Sequence, residues 1–296
     1  MAQTILVTGA SGFIAAHVVA TLLRRGYNVR GTVRSEKSAV EVFRTHSQYP
    51  GTLSIAIVPD IAAPGAFDEA VQGVDGIIHT ASPFILGATD FETELFRPAI
   101  QGTVSILEAT QKHNPGVSRI VITSSFASVL DPSQGKRPGY IYTERDWNPV
   151  TREEAGLGDG VAAYLASKTF AEQAAWNYIK EKKSLNTSSG DIYRLINGSE
   201  KEVPDTSFWA FADVRDLAEA HVLALEKPAA AGKRYLIANS AYSYQQVCDI
   251  IRENFPQLRE LTPEGIAGNP FLQSISWIPP RQSKNLVSSS DRLKTP

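Results

Sequence analysis

Three side chains in this sequence have the types and the spacing that proton transfer needs. Tyr164 and Lys168 are four residues apart in a helical stretch, so they share one face of that helix. Ser125 follows residues 119–123, an apolar run that predicts a strand. A lysine ammonium near a tyrosine lowers the pKa of the hydroxyl from its reference value of about 10. With Ser125 holding the accepting oxygen, the trio predicts proton donation to a carbonyl that receives a hydride.

Each of these residues also has a simpler interpretation. A Tyr and a Lys at this spacing are often only a packed ring and a solvated charge. The functional interpretation is favoured because polar or glycine-rich segments follow several strands in succession, and these segments would meet at one crevice. We therefore turn to the elements that would position the trio.

A glycine turn near the N-terminus is the first of these elements. Residues 4–8 are an apolar run typical of a buried strand, and Gly9 and Gly12 follow it. The helical stretch then begins at Phe13 and Ile14, and its free N–H groups would face a pyrophosphate. Although an ordinary strand-to-helix turn could have the same glycines, a position inside a strand–turn–helix–strand unit favours a dinucleotide site.

The end of the second predicted strand, residues 28–33, indicates which dinucleotide binds. Arg34 and Lys37 follow this strand, and no Asp or Glu stands at its tip. A carboxylate at this point would bind the ribose of NAD, whereas a cation accommodates the extra phosphate of NADP. The sequence therefore predicts NADPH, with two solvated charges at a helix start as the alternative.

The exits of the third and fourth predicted strands supply further candidates. Asp60 could accept a hydrogen bond from the adenine amino group, or it could cap the short segment that follows. After residues 77–79, the exit loop should line the cofactor, with Phe84 on the substrate side. The candidate cofactor contacts at these two exits are Asp60, Ile61, Thr80, Ala81 and Ser82.

Composition narrows the class of protein. The 296 residues are 43% hydrophobic and 20% charged, with a formal net charge of -2, which favours a globular protein and gives no reason to expect a nucleic-acid partner. The one cysteine, Cys248, suits a reducing compartment. No signal peptide or membrane-length apolar run is evident, and the five histidines lack metal-ligand spacing. We expect a cytoplasmic monomer or homodimer that binds a small-molecule carbonyl substrate, without a metal or a membrane partner.

The motifs together resemble the extended short-chain dehydrogenases/reductases of the NAD-dependent epimerase/dehydratase superfamily. Within that group, the chain is similar to fungal methylglyoxal and aldehyde-ketone reductases and to plant dihydroflavonol reductases. The segments that carry the resemblance are residues 7–15 (VTGASGFIA), 33–35 (VRS), 58–61 (VPDI), 79–84 (HTASPF), 123–126 (TSSF), 164–168 (YLASK), 171–176 (AEQAAW) and 213–218 (DVRDLA).

This resemblance implies an oxidoreductase that uses NADPH to reduce an aldehyde or ketone to an alcohol. It implies that Ser125, Tyr164 and Lys168 are the catalytic triad, and that Phe84 and Phe126 line the substrate pocket with Ser125 and Tyr164. The cofactor contacts that it implies are Gly9, Gly12, Phe13, Ile14, Arg34, Lys37, Asp60, Thr80 and Ser82. A nucleotide-sugar epimerase or dehydratase is the alternative, because such enzymes share the Tyr–Lys pair and hold NAD.

The expected fold is α/β, a Rossmann-type doubly wound parallel sheet with a small, truncated C-terminal substrate lobe. Residues 1–183 and 213–240 would form the NADP-binding domain, residues 184–212 and 241–269 the substrate-side lobe, and residues 270–296 an irregular tail. A strand that the family has after Lys183 is missing, and residues 184–190 have loop chemistry instead. A catalytically impaired NADP-binding protein that lacks one sheet strand is therefore a further alternative.

Overall fold

The structure is a computed structural model, and it describes residues 2–83, 88–135, 137, 140–180, 202–203, 210–238 and 240–266. In chain order the elements are β1 Thr4–Thr8, α1 Phe13–Arg24, β2 Asn28–Val33, α2 Glu36–Thr45, β3 Leu53–Ile57, β4 Gly76–His79, α3 Arg97–His113, β5 Arg119–Ile122, α4 Arg152–Leu157, α5 Gly160–Lys180, β6 Ala210–Phe211, α6 Val214–Glu226, β7 Ser240–Ala241 and α7 Tyr244–Asn254.

Five of the strands form one parallel sheet in the order β3-β2-β1-β4-β5. This order is that of the first five strands in the Rossmann fold, in which the strand order reverses between β1 and β4. The loops that leave the carboxyl ends of β1 and β4 are therefore neighbours at a crevice. The expected doubly wound parallel sheet is confirmed. Strands β6 and β7 pair with each other in a separate antiparallel ribbon.

The core lies on both faces of this sheet because side chains alternate along each strand. Ile5 and Val7 of β1 belong to the apolar cluster on one face, together with residues of α1, α2 and α6. Leu6, between them, packs on the other face with Ile106 of α3 and Ala175 of α5. Burial on both faces explains why β1 is apolar at consecutive positions instead of alternating with polar residues.

Two helical predictions needed correction. The sequence predicts the second helix over residues 40–46, but α2 begins at Glu36, since the Ser35 hydroxyl accepts a hydrogen bond from the Ser38 N–H and caps the first turn. Residues 131–160 are rich in Pro, Gly and charge, which predicts a long loop, but this stretch contains α4, where Thr151 and Glu154 form a capping box. In both cases the sequence had a capping signal that apolar periodicity alone does not reveal.

The sequence predicts a last strand over residues 234–238, but the structure has no strand there. A β-strand requires a hydrogen-bonded neighbour, and in the described part of the chain no strand lies beside this segment. Strand β5 pairs with β4 on one side and, among the described residues, with no strand on the other. The sequence also predicts a helix over residues 191–196. This segment and the position of the strand expected to be missing after Lys183 lie outside the described residues.

Candidate active site

The glycine turn has the geometry of an anion site at the start of α1. Gly9 has a φ of +67°, which is unfavourable for other residues, and a Cβ there would lie 3.1 Å from the Ala81 Cα. Gly12 precedes α1 without a side-chain cap, and the first turn of that helix contains no acidic residue. The helix N-terminus is therefore available to a negatively charged group, which is what a dinucleotide pyrophosphate needs. Phe13, 69% exposed, stands at the opening.

Arg34 and Lys37 lie where β2 passes into α2, and both are exposed. Neither makes an ion pair within the described residues. A helix N-terminus disfavours cations, so two unpaired cations here are not explained by local helix stability. A phosphate bound between them and the helix start would satisfy both charges. The residues present thus fit NADP better than NAD.

Hydrogen bonds hold the segments that follow β3 and β4. Asp60 Oδ1 accepts from the Ala62 N–H at 2.8 Å, as its capping alternative predicted, and Ile61 packs against Gly102 of α3. The Thr8 hydroxyl oxygen accepts from the N–H groups of Thr80 and Ala81 at 3.1 Å each. These bonds tie the β4 exit to the glycine turn.

Lys168 and Tyr164 come together at the β4 exit. The Lys168 ammonium donates to Ser82 Oγ at 2.5 Å and to the Pro83 carbonyl at 3.2 Å. Its Nζ lies 5.2 Å from the centre of the Tyr164 ring, and both side chains are buried. Burial lowers the pKa of Lys168 from 10.5 to about 8, because a low-dielectric environment disfavours the charged ammonium.

Ser125 lies at the start of a tight turn, residues 126–128, that packs against α5. Its hydroxyl oxygen accepts from the Ala127 N–H at 3.2 Å, which fixes its direction. The hydroxyl proton has no acceptor within the described part of the chain and is therefore available to a ligand. Ala127 and Tyr164 belong to the same apolar cluster, so the turn carries Ser125 to the part of α5 that bears Tyr164.

Sequence reasoning missed a buried ion pair between Glu172 and Arg234. Arg234 Nε donates to Glu172 Oε1 at 2.6 Å, and Arg234 Nη2 donates to Glu172 Oε2 at 3.0 Å. The side chains are 0% and 8% exposed. Glu172 stands eight residues after Tyr164, two helical turns along α5, and this spacing was the available signal for its position on the same face. Nothing local marked Arg234, since it is 62 positions away.

The positions of the other predicted residues add less to the description of the site. Phe126 is half-buried and its ring meets Tyr142 edge-on at 5.4 Å between centroids. Phe84 lies outside the described residues. His79 is fully buried, and this burial lowers its pKa to about 3. In the described ranges, no three metal-ligating side chains cluster, and no helix is both long and apolar enough to cross a membrane.

The fold and this site define a class of protein. The family model described as NAD dependent epimerase/dehydratase matches residues 5–197, and the chain belongs to that family. The putative NADPH-dependent methylglyoxal reductase GRP2 of Candida albicans is 39% identical over 88% of this chain and 86% of its own length. The NADPH-dependent methylglyoxal reductase GRE2 of Saccharomyces cerevisiae is 34% identical over 90% and 87%. The predicted resemblance is confirmed.

A solved structure agrees with these relatives. Gre2 from Candida albicans in complex with NADPH has a TM-score of 0.84 to this chain and is 34% identical, over 96% of this chain and 93% of that one. A UDP-glucose 4-epimerase from Bifidobacterium longum reaches a TM-score of 0.65 at 20% identity, which shows a shared fold alone.

Proposed function

We propose that this protein is an NADPH-dependent reductase of aldehydes or ketones. The observation that carries the proposal is the position of Lys168, whose ammonium lies 5.2 Å from the Tyr164 ring centre and is hydrogen-bonded to the loop beside the glycine turn. The NADPH-dependent reductases among the relatives support it. The unpaired cations Arg34 and Lys37 favour NADPH over the NAD of the epimerase alternative.

The cofactor would be held along the carboxyl ends of the strands. The glycine turn and the start of α1 would bind the pyrophosphate, Arg34 and Lys37 the extra phosphate, and the 80–82 loop the central part of the dinucleotide. When bound, NADPH supplies a hydride to the carbonyl carbon. The contacts proposed to hold it are Gly9, Gly12, Phe13, Ile14, Arg34, Lys37, Asp60, Ile61, Thr80, Ala81, Ser82, Tyr164 and Lys168.

Three residues of the protein would bind the oxygen of that carbonyl and supply its proton. The Tyr164 hydroxyl gives its proton to the oxygen as negative charge develops there, and the product is an alcohol. The Lys168 ammonium stabilises the phenolate that Tyr164 becomes, since an opposite charge nearby favours the ionised phenol. The Ser125 hydroxyl, whose proton is available, donates to the same oxygen and holds the carbonyl in place. Solvent returns the proton to Tyr164 after release.

The test is turnover with purified protein, NADPH and a panel of aldehydes and ketones that includes methylglyoxal, followed by NADPH absorbance. Tyr164→Phe should lower kcat at least about 100-fold, the range for loss of a general acid. Tyr27→Phe is the matched control, because Tyr27 lies between the end of α1 and the start of β2, at the amino ends of the strands, where its hydroxyl donates to Glu226. It should leave kcat unchanged.

Each other outcome has a separate meaning. Full activity in Tyr164→Phe would overturn the role of that hydroxyl. NADPH binding without turnover by the wild type on any carbonyl would indicate the impaired binding protein, and NAD that co-purifies with the protein would indicate the epimerase alternative.

A further inference from the structure

We propose that the buried Glu172–Arg234 pair is a positioning device for Ser125. The inference rests on the proposed function, because it concerns the residue that would hold the substrate oxygen. Neither Glu172 nor Arg234 is proposed to touch the substrate. Both would act through the turn of residues 124–128, which carries Ser125.

Hydrogen bonds connect the carboxylate to both ends of this turn. Glu172 Oε2 accepts from the Ser124 hydroxyl at 2.7 Å and lies 2.5 Å from Ser128 Oγ. Ser124 directly precedes Ser125, and Ser128 ends the same tight turn. The carboxylate therefore fixes the turn on either side of Ser125, and Trp176 Nε1 donates to Oε1 at 3.2 Å to hold the carboxylate itself.

Ser128 links the pair to Ser125 directly. Its N–H donates to the Ser125 carbonyl at 2.9 Å, and its Oγ lies 2.7 Å from that same carbonyl. The hydroxyl has one proton, so it bonds either the Ser125 carbonyl or Glu172. Arg234 Nη2 donates to Ser128 Oγ at 3.0 Å in either case, so the serine is held by the arginine while its proton serves one of the two acceptors.

Arg234 also connects this device to the loop of residues 144–147. Its Nη1 donates to the Glu144 carbonyl at 3.0 Å and also to the Asp146 carbonyl. Its guanidinium lies 4.1 Å from the ring centre of Trp147. One planar cation thus joins α5, the Ser125 turn and the loop of residues 144–147, a role that suits the fixed fork of arginine and not the single ammonium of lysine.

The charges explain why this arrangement should have a function beyond stability. A buried ion pair is often no more stabilising than apolar residues of the same size. What it adds is direction, because Arg234, the Ser124 hydroxyl and the Trp176 N–H all donate to the same carboxylate from fixed positions. A hydroxyl that must meet a substrate oxygen within hydrogen-bond distance needs such a fixed support.

A double-mutant cycle with Ser125→Ala tests the inference. If Glu172 acts through Ser125, Glu172→Gln should lower kcat about tenfold in the wild type but have almost no effect in a Ser125→Ala background. The dissociation constant of NADPH should stay within about twofold, because the glycine turn and Lys168 are unchanged. Glu92→Gln is the matched control, since Glu92 forms an exposed bidentate pair with Arg152 and should leave kcat unchanged in both backgrounds.

A second variant covers the case in which Glu172→Gln does not fold. Ser128→Ala keeps the ion pair intact and removes only the hydroxyl that bonds the Ser125 carbonyl or Glu172. It should lower kcat severalfold in the wild type and have no further effect with Ser125→Ala. Additive losses for either folded variant, or unchanged kcat in both, would overturn the positioning role alone. A wild-type protein without carbonyl turnover would instead overturn the proposed function, and the positioning role with it.

Discussion

The two sides of the crevice are built in different ways. On the glycine side, the site consists of backbone N–H groups and a φ of +67° at Gly9, all within one strand–turn–helix unit. On the other side, it consists of side chains, and the Arg234–Ser128 bond joins positions 106 residues apart. The glycine side requires residues without side chains, so that the backbone can adopt its conformation. The other side requires that each buried charge keeps its partner. The two sides should therefore respond differently to substitution.

The largest effect on stability is expected at Arg234. Arg234→Met leaves the Glu172 carboxylate buried and without its cation, and this should lower the free energy of unfolding by about 3–5 kcal/mol. Urea unfolding of the wild type and the variant measures the difference. Adding Glu172→Gln to Arg234→Met should recover part of the loss, because the buried charge is removed. A loss below about 1 kcal/mol in Arg234→Met would contradict the difference between the two sides.

A pH-dependent effect is expected at Lys168. In the cofactor-free protein its pKa is about 8, against 10.5 unperturbed. Below pH 8 the lysine is charged in both states, and the folded protein bears the full cost of burying that charge. Between pH 8 and 10.5 the unfolded chain holds more protons than the folded protein, so stability rises with pH.

Comparison with Lys168→Met isolates this contribution. The free energy of unfolding of the wild type relative to the variant should rise by up to about 3 kcal/mol across that window. Urea unfolding at a series of pH values measures it, and a flat difference would mean that the ammonium is not desolvated as the structure indicates.

On the glycine side we expect a smaller loss, and one that affects binding. Gly9→Ala places a Cβ at a φ of +67° and 3.1 Å from the Ala81 Cα. The left-handed backbone alone should cost about 1–2 kcal/mol. Gly26→Ala is the matched control, since Gly26 has a φ of +84° and nothing within 4 Å of a Cβ. Gly26→Ala should lose only this backbone cost by urea unfolding, Gly9→Ala somewhat more because of the Ala81 contact, and only Gly9→Ala should weaken NADPH binding. Equal NADPH affinity in the two would place the cofactor elsewhere.

The smallest effect is expected at the exposed Glu92–Arg152 pair. Its geometry matches that of the buried pair, with Arg152 Nε and Nη2 at 2.9 and 2.6 Å from the carboxylate oxygens. Its side chains are 45% and 48% exposed, so solvent screens the charges. Glu92→Gln should change the free energy of unfolding by less than about 1 kcal/mol. A loss as large as that of Arg234→Met would show that burial does not determine how much an ion pair contributes to the free energy of unfolding.

Most of the elements within residues 4–180 could be predicted from the sequence. Strands β1 to β5 and helices α1, α3 and α5 follow from apolar runs and helical periodicity, and the parallel order follows from their alternation along the chain. The start of α2 was missed because its signal is the single Ser35 hydroxyl. Residues 234–238 were misjudged because an apolar segment becomes a strand only beside another strand.

For the candidate site, the sequence by itself determined the chemistry at hand: a phenol and an amine on one helix face, a serine at a strand exit, glycines in a turn and two cations after β2. These depend on spacing within single elements, which local backbone geometry dictates. Only the tertiary structure decided that Lys168 reaches Ser82 and that Glu172 meets Arg234 beneath the Ser125 turn. Such contacts join segments far apart in the chain, and only the packing of the folded protein brings them together.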